Sequence, residues 1–277
     1  MRKAVSLFSG SLSSSLSTEI VVNHCDVDRV VLLTFRSPFF RYYEEIKDIA
    51  NSLWPESQFR SKSIKRRTEN IARSGGGGVE ESGTFCIRCR LSLLKTGGEF
   101  LDRIGADFLV SGETAGLKGD GWIERLRVIE ERARVDDLVF RPLSSKMSSS
   151  LPEEKKWLQL QQSEDVSSEG SLRDLAKRLD LKTGPDFYGS STRCKLTSKR
   201  YRKRLNDLVE EKDFNVNDLR LLDFDEYYKI PPDTKLVLAE SPGEKRELHN
   251  FFLPRDLRFY LPTEKGPMGL VRSSWDE

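Results

Sequence analysis

Lys3-Ala4-Val5-Ser6-Leu7-Phe8-Ser9-Gly10-Ser11-Leu12-Ser13-Ser14 is a short apolar run that breaks into a turn of serines and one glycine. Residues 12–22 then place apolar side chains at roughly helical spacing, and a second apolar run follows, Arg29-Val30-Val31-Leu32-Leu33-Thr34-Phe35. Strand, turn, helix, strand is the βαβ pattern of a parallel sheet. Outward from it, 42–53 and 90–104 predict helices, and 106–111 and 138–141 predict further strands. This alternation predicts an α/β, doubly wound parallel sheet, whose ligand sites lie at the carboxyl ends of the strands.

Residues 73–84 (RSGGGGVEESGT) interrupt that rhythm and predict a mobile loop, because four consecutive glycines leave the backbone little preference. Residues 144–150 and 163–170 read as low-order stretches too. After Cys194 the character changes: 199–208 is a basic helix, with strand-like segments at 235–239, 257–261 and 269–271. A domain over 1–190 and a second, small α+β C-terminal domain over 191–277 are expected.

Hydrophobic residues make up 37% and charged residues 32%, which allows a sizeable core under a heavily charged surface. A net charge of +2 is too small to argue for a polyanion partner, so local clusters must carry that case. No apolar run approaches the roughly 20 residues of a membrane span, and the first one is too short for a signal peptide. Four cysteines are too few for a disulfide scaffold of this size, so a reduced, cytoplasmic setting is expected.

Three segments could carry chemistry. The turn at Ser9, Gly10, Ser11, Ser13 and Ser14 reads either as a plain helix cap or as a phosphate loop, where backbone N–H groups, hydroxyls and the helix start face an anion. It lacks the Gly-Lys-Ser/Thr ending of a Walker A loop. Cys86-Ile87-Arg88-Cys89 is either a metal or redox pair or two incidental thiols, and Arg88 and Arg90 would favour thiolates. Cys194 is the remaining soft ligand, and Cys25 reads as a small core residue. Lys199, Arg200, Arg202, Lys203 and Arg204, with a second cluster at Arg60, Lys62, Lys65, Arg66 and Arg67, are solvated faces or contacts to a phosphate backbone.

Taken in order, these segments resemble the PP-loop ATP pyrophosphatases of tRNA thiolation, the 4-thiouridine synthase-like and 2-thiouridylase-like proteins. The turn resembles their SGGxDS loop. Residues 33–40 (LTFRSPFF), 85–94 (FCIRCRLSLL), 105–112 (GADFLVSG), 141–146 (RPLSSK), 151–154 (LPEE) and 194–197 (CKLT) follow in the family's order. Residues 235–248 and 266–272 resemble a small NFACT-type RNA-binding domain.

The resemblance implies an adenine nucleotide alpha-hydrolase-like fold that adenylates a tRNA uridine carbonyl and replaces its oxygen with sulfur. ATP and Mg2+ would be held at Ser9, Gly10, Ser11, Ser13, Ser14 and Phe35. Cys86, Cys194 and Ser13 would be catalytic, and Cys86, Cys89 and Cys194 would ligate a [4Fe-4S] cluster or instead carry a persulfide and resolve it as a disulfide. Lys199, Arg200, Arg202, Lys203, Arg204, Lys245 and Arg246, with Arg272, would contact tRNA. The other partners implied are a sulfur donor, as a small molecule or a persulfide protein, and a second copy in a homodimer. No THUMP-like extension precedes the turn, so RNA recognition is expected from the C-terminal module or a partner.

The chain departs from the family at several points. Ser11 replaces a glycine, and Ser13 replaces the aspartate that organises metal and triphosphate. Thr114-Ala115-Gly116-Leu117, Ser148-Ser149-Ser150 and Ser198 also stand where other residues are usual. Glu113 is the candidate to take over metal binding. The alternative implied is a degenerate homologue that binds RNA without ATP chemistry.

Overall fold

The computed structural model describes residues 1–74, 82–114, 121–144, 166–182, 194–211, 214–260 and 266–273. The glycine run at 75–78, residues 115–117, 145–154 and 163–165 fall outside the described residues. The chain runs β1 (Lys3–Leu7), α1 (Leu12–His24), β2 (Arg29–Arg36), α2 (Tyr43–Leu53), β3 (Gln58–Ser63), α3 (Lys65–Arg73), α4 (Ser82–Ile104), β4 (Phe108–Ser111), α5 (Trp122–Ala133), β5 (Val139–Phe140) and α6 (Glu169–Arg178). It continues through α7 (Lys199–Val209), α8 (Val216–Leu221), β6 (Glu226–Ile230), β7 (Thr234–Ala239), α9 (Pro242–His249), β8 (Leu257–Tyr260) and β9 (Met268–Arg272). Two compact units result: Met1–Ile64 with Cys86–Cys194, and Lys65–Phe85 with Lys195–Glu277.

The first unit is the expected α/β fold. Its five strands pair in parallel in the order β3-β2-β1-β4-β5. Strand side chains alternate between two cores, because successive residues of a strand point to opposite faces. Ala4, Val30, Leu32, Phe108, Val110 and Phe140 pack with α1, α2 and α6 through Leu16, Ile20, Ile46, Ile49, Leu172 and Leu175. Val5, Val31, Leu33, Leu109 and Val139 pack on the other face with α4 and α5 through Leu94, Phe100, Leu101 and Ile129. Burial on both faces explains why these strands read as unbroken apolar runs. β3 reads differently: it is an edge strand, and Gln58, Arg60, Lys62 and Ser63 keep its outer side polar.

The helix predicted over 90–104 begins earlier, at Ser82, so Cys86 and Cys89 lie on α4 rather than in a loop before it. Helix α1 sits close to the sheet because its inner side is built from small residues. Ser14, Ser15, Ser17 and Thr18 are buried, and the Thr18 hydroxyl lies 2.7 Å from that of Ser6 on β1.

The second unit holds an antiparallel sheet in the order β6-β7-β9-β8. Lys235, Val237 and Ala239 of β7 are buried, as are Leu205, Leu208, Leu219, Leu248 and Leu270 of the same unit. The opposite face leaves Tyr228, Ile230, Leu257 and Phe259 exposed, and Phe259 lies over Gly269, where any Cβ would overlap its ring. Among the described residues no helix is long and apolar enough to cross a membrane.

Candidate functional site

Strand β1 ends where Phe8 N–H donates to Leu33 O at 2.9 Å, and the chain then turns through Gly10 at φ 68°, a left-handed conformation that glycine adopts without strain. Ser11 caps α1: its hydroxyl accepts from Ser14 N–H at 3.3 Å, and the Ser14 hydroxyl donates to Ser11 O at 2.9 Å. Ser9, Ser11 and Ser13 hydroxyls continue the chain of hydrogen bonds at 3.0 and 3.2 Å. The first-turn N–H groups of Leu12 and Ser13 have no carbonyl one turn back, so they point out of the helix as donors. No acidic residue occupies that first turn.

The turn lies at the carboxyl end of β1, between β2 on one side and β4 on the other. This is where chain connections diverge to opposite sides of the sheet, leaving a crevice. Gly112, one residue beyond β4, closes up to α1: a Cβ there would lie 2.6 Å from both the backbone nitrogen and Cα of Ser14. Only a residue without a side chain permits that approach, so the wall of the crevice at this point is backbone.

A buried charge cluster stands beside it. Glu113 follows Gly112 and is 8% exposed. It pairs with Arg90 of α4, and its Oε2 lies 3.2 Å from Nε of Arg141, the residue after β5. Arg141 also pairs with Glu130 of α5, and the Ser144 hydroxyl donates to Glu113 O at 2.8 Å. Burial pushes the Glu130 carboxyl up, and Arg141 opposes that shift. Burial, and then Arg141, lower the Arg90 guanidinium to about 10, so it stays cationic at neutral pH.

The expectation that Glu113 stands ready for a metal meets a carboxylate already held by two guanidinium groups. Among the described residues, no three His, Cys, Asp or Glu side chains converge as metal ligands. A cluster on Cys86, Cys89 and Cys194 is therefore not supported by the residues as they stand. Mg2+ asks for only one or two carboxylates beside substrate phosphates and waters, and the acid nearest the turn, Glu113, is engaged by Arg90 and Arg141.

The three cysteines nonetheless share one neighbourhood. Cys86 is exposed, Cys89 buried and Cys194 half-buried, all as thiols. Burial pushes the Cys89 thiol up, Cys194 and then Cys86 push the same way, and Arg90 opposes them. Cys194 is brought there by a bridge to Phe40, in the loop that leaves the carboxyl end of β2. Cys25 sits at the other end of α1, where burial pushes its thiol up to about 12, and it packs against the apolar core. Phe35, expected to touch the nucleotide, is half-buried on β2 and packs against the core that holds α4.

In the second unit the basic helix is partly committed to its own fold. Arg204 donates to the carbonyls of Leu222, Phe224, Asp225 and Tyr227 and stacks 5.1 Å from the Tyr227 ring centre. Arg202 donates to Leu196 O and Thr197 O, and Arg200 pairs with Asp225. Lys199 and Lys203 are exposed. Lys245 donates to Gly266 O, Arg246 is exposed, and Arg272 is buried between Asp218 and Asp256. Arg141 and the pairing of Arg90 with Glu113 were missed in the sequence, and their one signal there was a charge beside an apolar strand or cysteine.

The fold and crevice define a doubly wound α/β protein with a serine-rich turn at its switch point. No family model and no curated protein matches the sequence. Among solved structures, a 4-thiouridine synthetase in complex with RNA and bound ATP is similar at 17% identity and TM-score 0.42, covering 80% of this chain and 52% of that one. The NMN synthetase of Francisella tularensis is similar at 11% identity and TM-score 0.39, covering 79% of this chain and 83% of that one. The chain thus spans about half the length of the 4-thiouridine synthetase.

Proposed function

We propose that the chain is an ATP-dependent sulfurtransferase acting on a tRNA uridine, with the nucleotide at Ser9–Ser14 and sulfur carried by the cysteines. One observation carries this reading: turn and thiols gather at the same end of the sheet. Gly112 lies against Ser14, Glu113 holds Arg90 beside Cys89, and Cys194 pairs with Phe40 after β2. Adenylation converts the carbonyl oxygen into a leaving group. A persulfide on Cys86 or Cys194 attacks that carbon, AMP departs with the oxygen, and the second cysteine releases the thiocarbonyl by closing a disulfide. A dithiol reductant then restores both thiols. No step is routed through an iron–sulfur cluster. Exposed Lys199, Lys203 and Arg246 are the basic contacts proposed for RNA.

The test is incubation of the full chain with ATP, a persulfide donor, a dithiol reductant and total tRNA. AMP, pyrophosphate and a thiolated nucleoside are expected, and Cys194→Ser should keep pyrophosphate release from the adenylation step while losing the thiolated product. Absence of AMP with every RNA fraction would sink the enzymatic reading.

A second reading, RNA binding without turnover, is favoured by Ser13 in the turn and by the engagement of Glu113 with Arg90 and Arg141. Tight RNA binding together with no ATP consumption would select it.

A further inference from the structure

The described loops at the carboxyl end of the parallel sheet contain one acid, Glu113, and it is paired twice. The same end carries Arg36, Arg41, Arg90 and Arg141, with Glu44 and Glu45 exposed in the first turn of α2. A divalent cation recruited to this crevice would have to displace guanidinium groups from a buried carboxylate, leaving buried charges unpaired. An anion meets the opposite situation. Arg90 keeps 32% of its side-chain surface beside its pairing with Glu113 and lies 5.5 Å from the centre of the Trp122 ring, so part of the guanidinium remains open to an acceptor. A phosphate oxygen is the acceptor whose geometry and charge suit guanidinium best.

We infer that Arg90, oriented by Glu113, supplies the positive charge for the nucleotide's phosphates in place of a carboxylate-held metal ion, so that binding does not require Mg2+. The inference rests on the reading of Ser9–Ser14 as a nucleotide site. It assigns Glu113 a positioning role: its carboxylate holds Arg90 and, through Gly112, follows the backbone that abuts Ser14. The first-turn N–H groups of α1 and the guanidinium then face one polyanion from two elements, which is the arrangement that neutralises a triphosphate without a cation.

The experiment measures binding of a non-hydrolysable ATP analogue and of adenosine to the full chain, with Mg2+ or with EDTA, for the native chain, Arg90→Ala and Arg90→Lys. The analogue should bind the native chain within about threefold in the two buffers, a difference below one kcal/mol. Arg90→Ala should weaken the analogue about 10- to 100-fold, the worth of a charged hydrogen bond, while adenosine binding stays put and Arg90→Lys recovers part of the loss. Binding that needs Mg2+ overturns the inference and leaves the nucleotide site standing. An equal loss of analogue and adenosine makes Arg90 merely structural and also overturns it. No binding of either ligand to the native chain overturns the site and the inference together. The native chain's EDTA comparison holds whether or not the variants fold.

Discussion

Arg90 and Arg272 are both paired arginines, yet they leave the chain in opposite states. Arg272 is engaged on every nitrogen: Nε and Nη2 donate to Asp256 at 2.8 and 2.6 Å, Nη1 to Asp218 at 2.8 Å and Nη2 to Phe251 O at 2.7 Å. Arg204, on α7 of the same unit, donates to four carbonyls. Arg90 pairs with one carboxylate, lies 5.5 Å from the Trp122 ring centre and keeps 32% of its side-chain surface. A guanidinium has five N–H donors in a fixed fork, so the number already engaged decides whether it braces the fold or receives a ligand. The difference is one of residual capacity, and charge alone does not reveal it.

That contrast can be broken by substitution. Arg272→Ala leaves Asp218 and Asp256 facing each other with their shared cation gone. It should destabilise the chain by about 3–5 kcal/mol in urea unfolding, the effect of removing one partner from a buried ion pair. A change under about 1 kcal/mol would show that these carboxylates find solvent or take up protons without strain. Gly112→Val forces a side chain into the backbone of Ser14. Overpacking of this kind should lower stability by about 1–3 kcal/mol, and nucleotide binding should fall below detection in the same titration that measures the native chain.

Arg204→Met keeps the apolar stem over Tyr227 but strips donors from four carbonyls. About 1–2 kcal/mol should be lost, and any drop in RNA affinity should disappear once the measurement is made at a temperature where the variant is fully folded. Lys203→Ala, on the same helix, should leave stability within about 0.5 kcal/mol while reducing RNA affinity and flattening its salt dependence. If Lys203→Ala and Arg204→Met behave alike, the division between bracing and binding cations on α7 is wrong.

Much of the first unit was legible in the residues. β1, α1 and β2 are announced by two apolar runs around a glycine turn, since a strand buried on both faces has no polar positions to hide it. β3 escaped notice for the converse reason: its outer side is solvated, and QFRSKS carries little apolar pattern. The start of α4 was set too late because the stretch before Arg90 begins in glycines and carries the CxxC motif, both of which suggest a loop. Of the site, the turn and the three cysteines were visible as residue types. Arg90 and Arg141 as partners of Glu113 were not, because a charge beside an apolar segment looks the same whether it faces water or a carboxylate.

The amino-acid order by itself determined the backbone of the crevice: an apolar run to bury, a glycine able to take φ 68° and a serine to cap the helix that follows. These are local preferences, decided within a few bonds. Which charges meet was decided only when β4, β5, α4 and α5 were brought together, for Arg90, Glu113, Glu130 and Arg141 come from four separate parts of the chain. The same holds for Cys194, delivered to Phe40 from the far end of the first unit. Electrostatic pairing depends on distance in space and on the water excluded between the partners, and packing alone sets both.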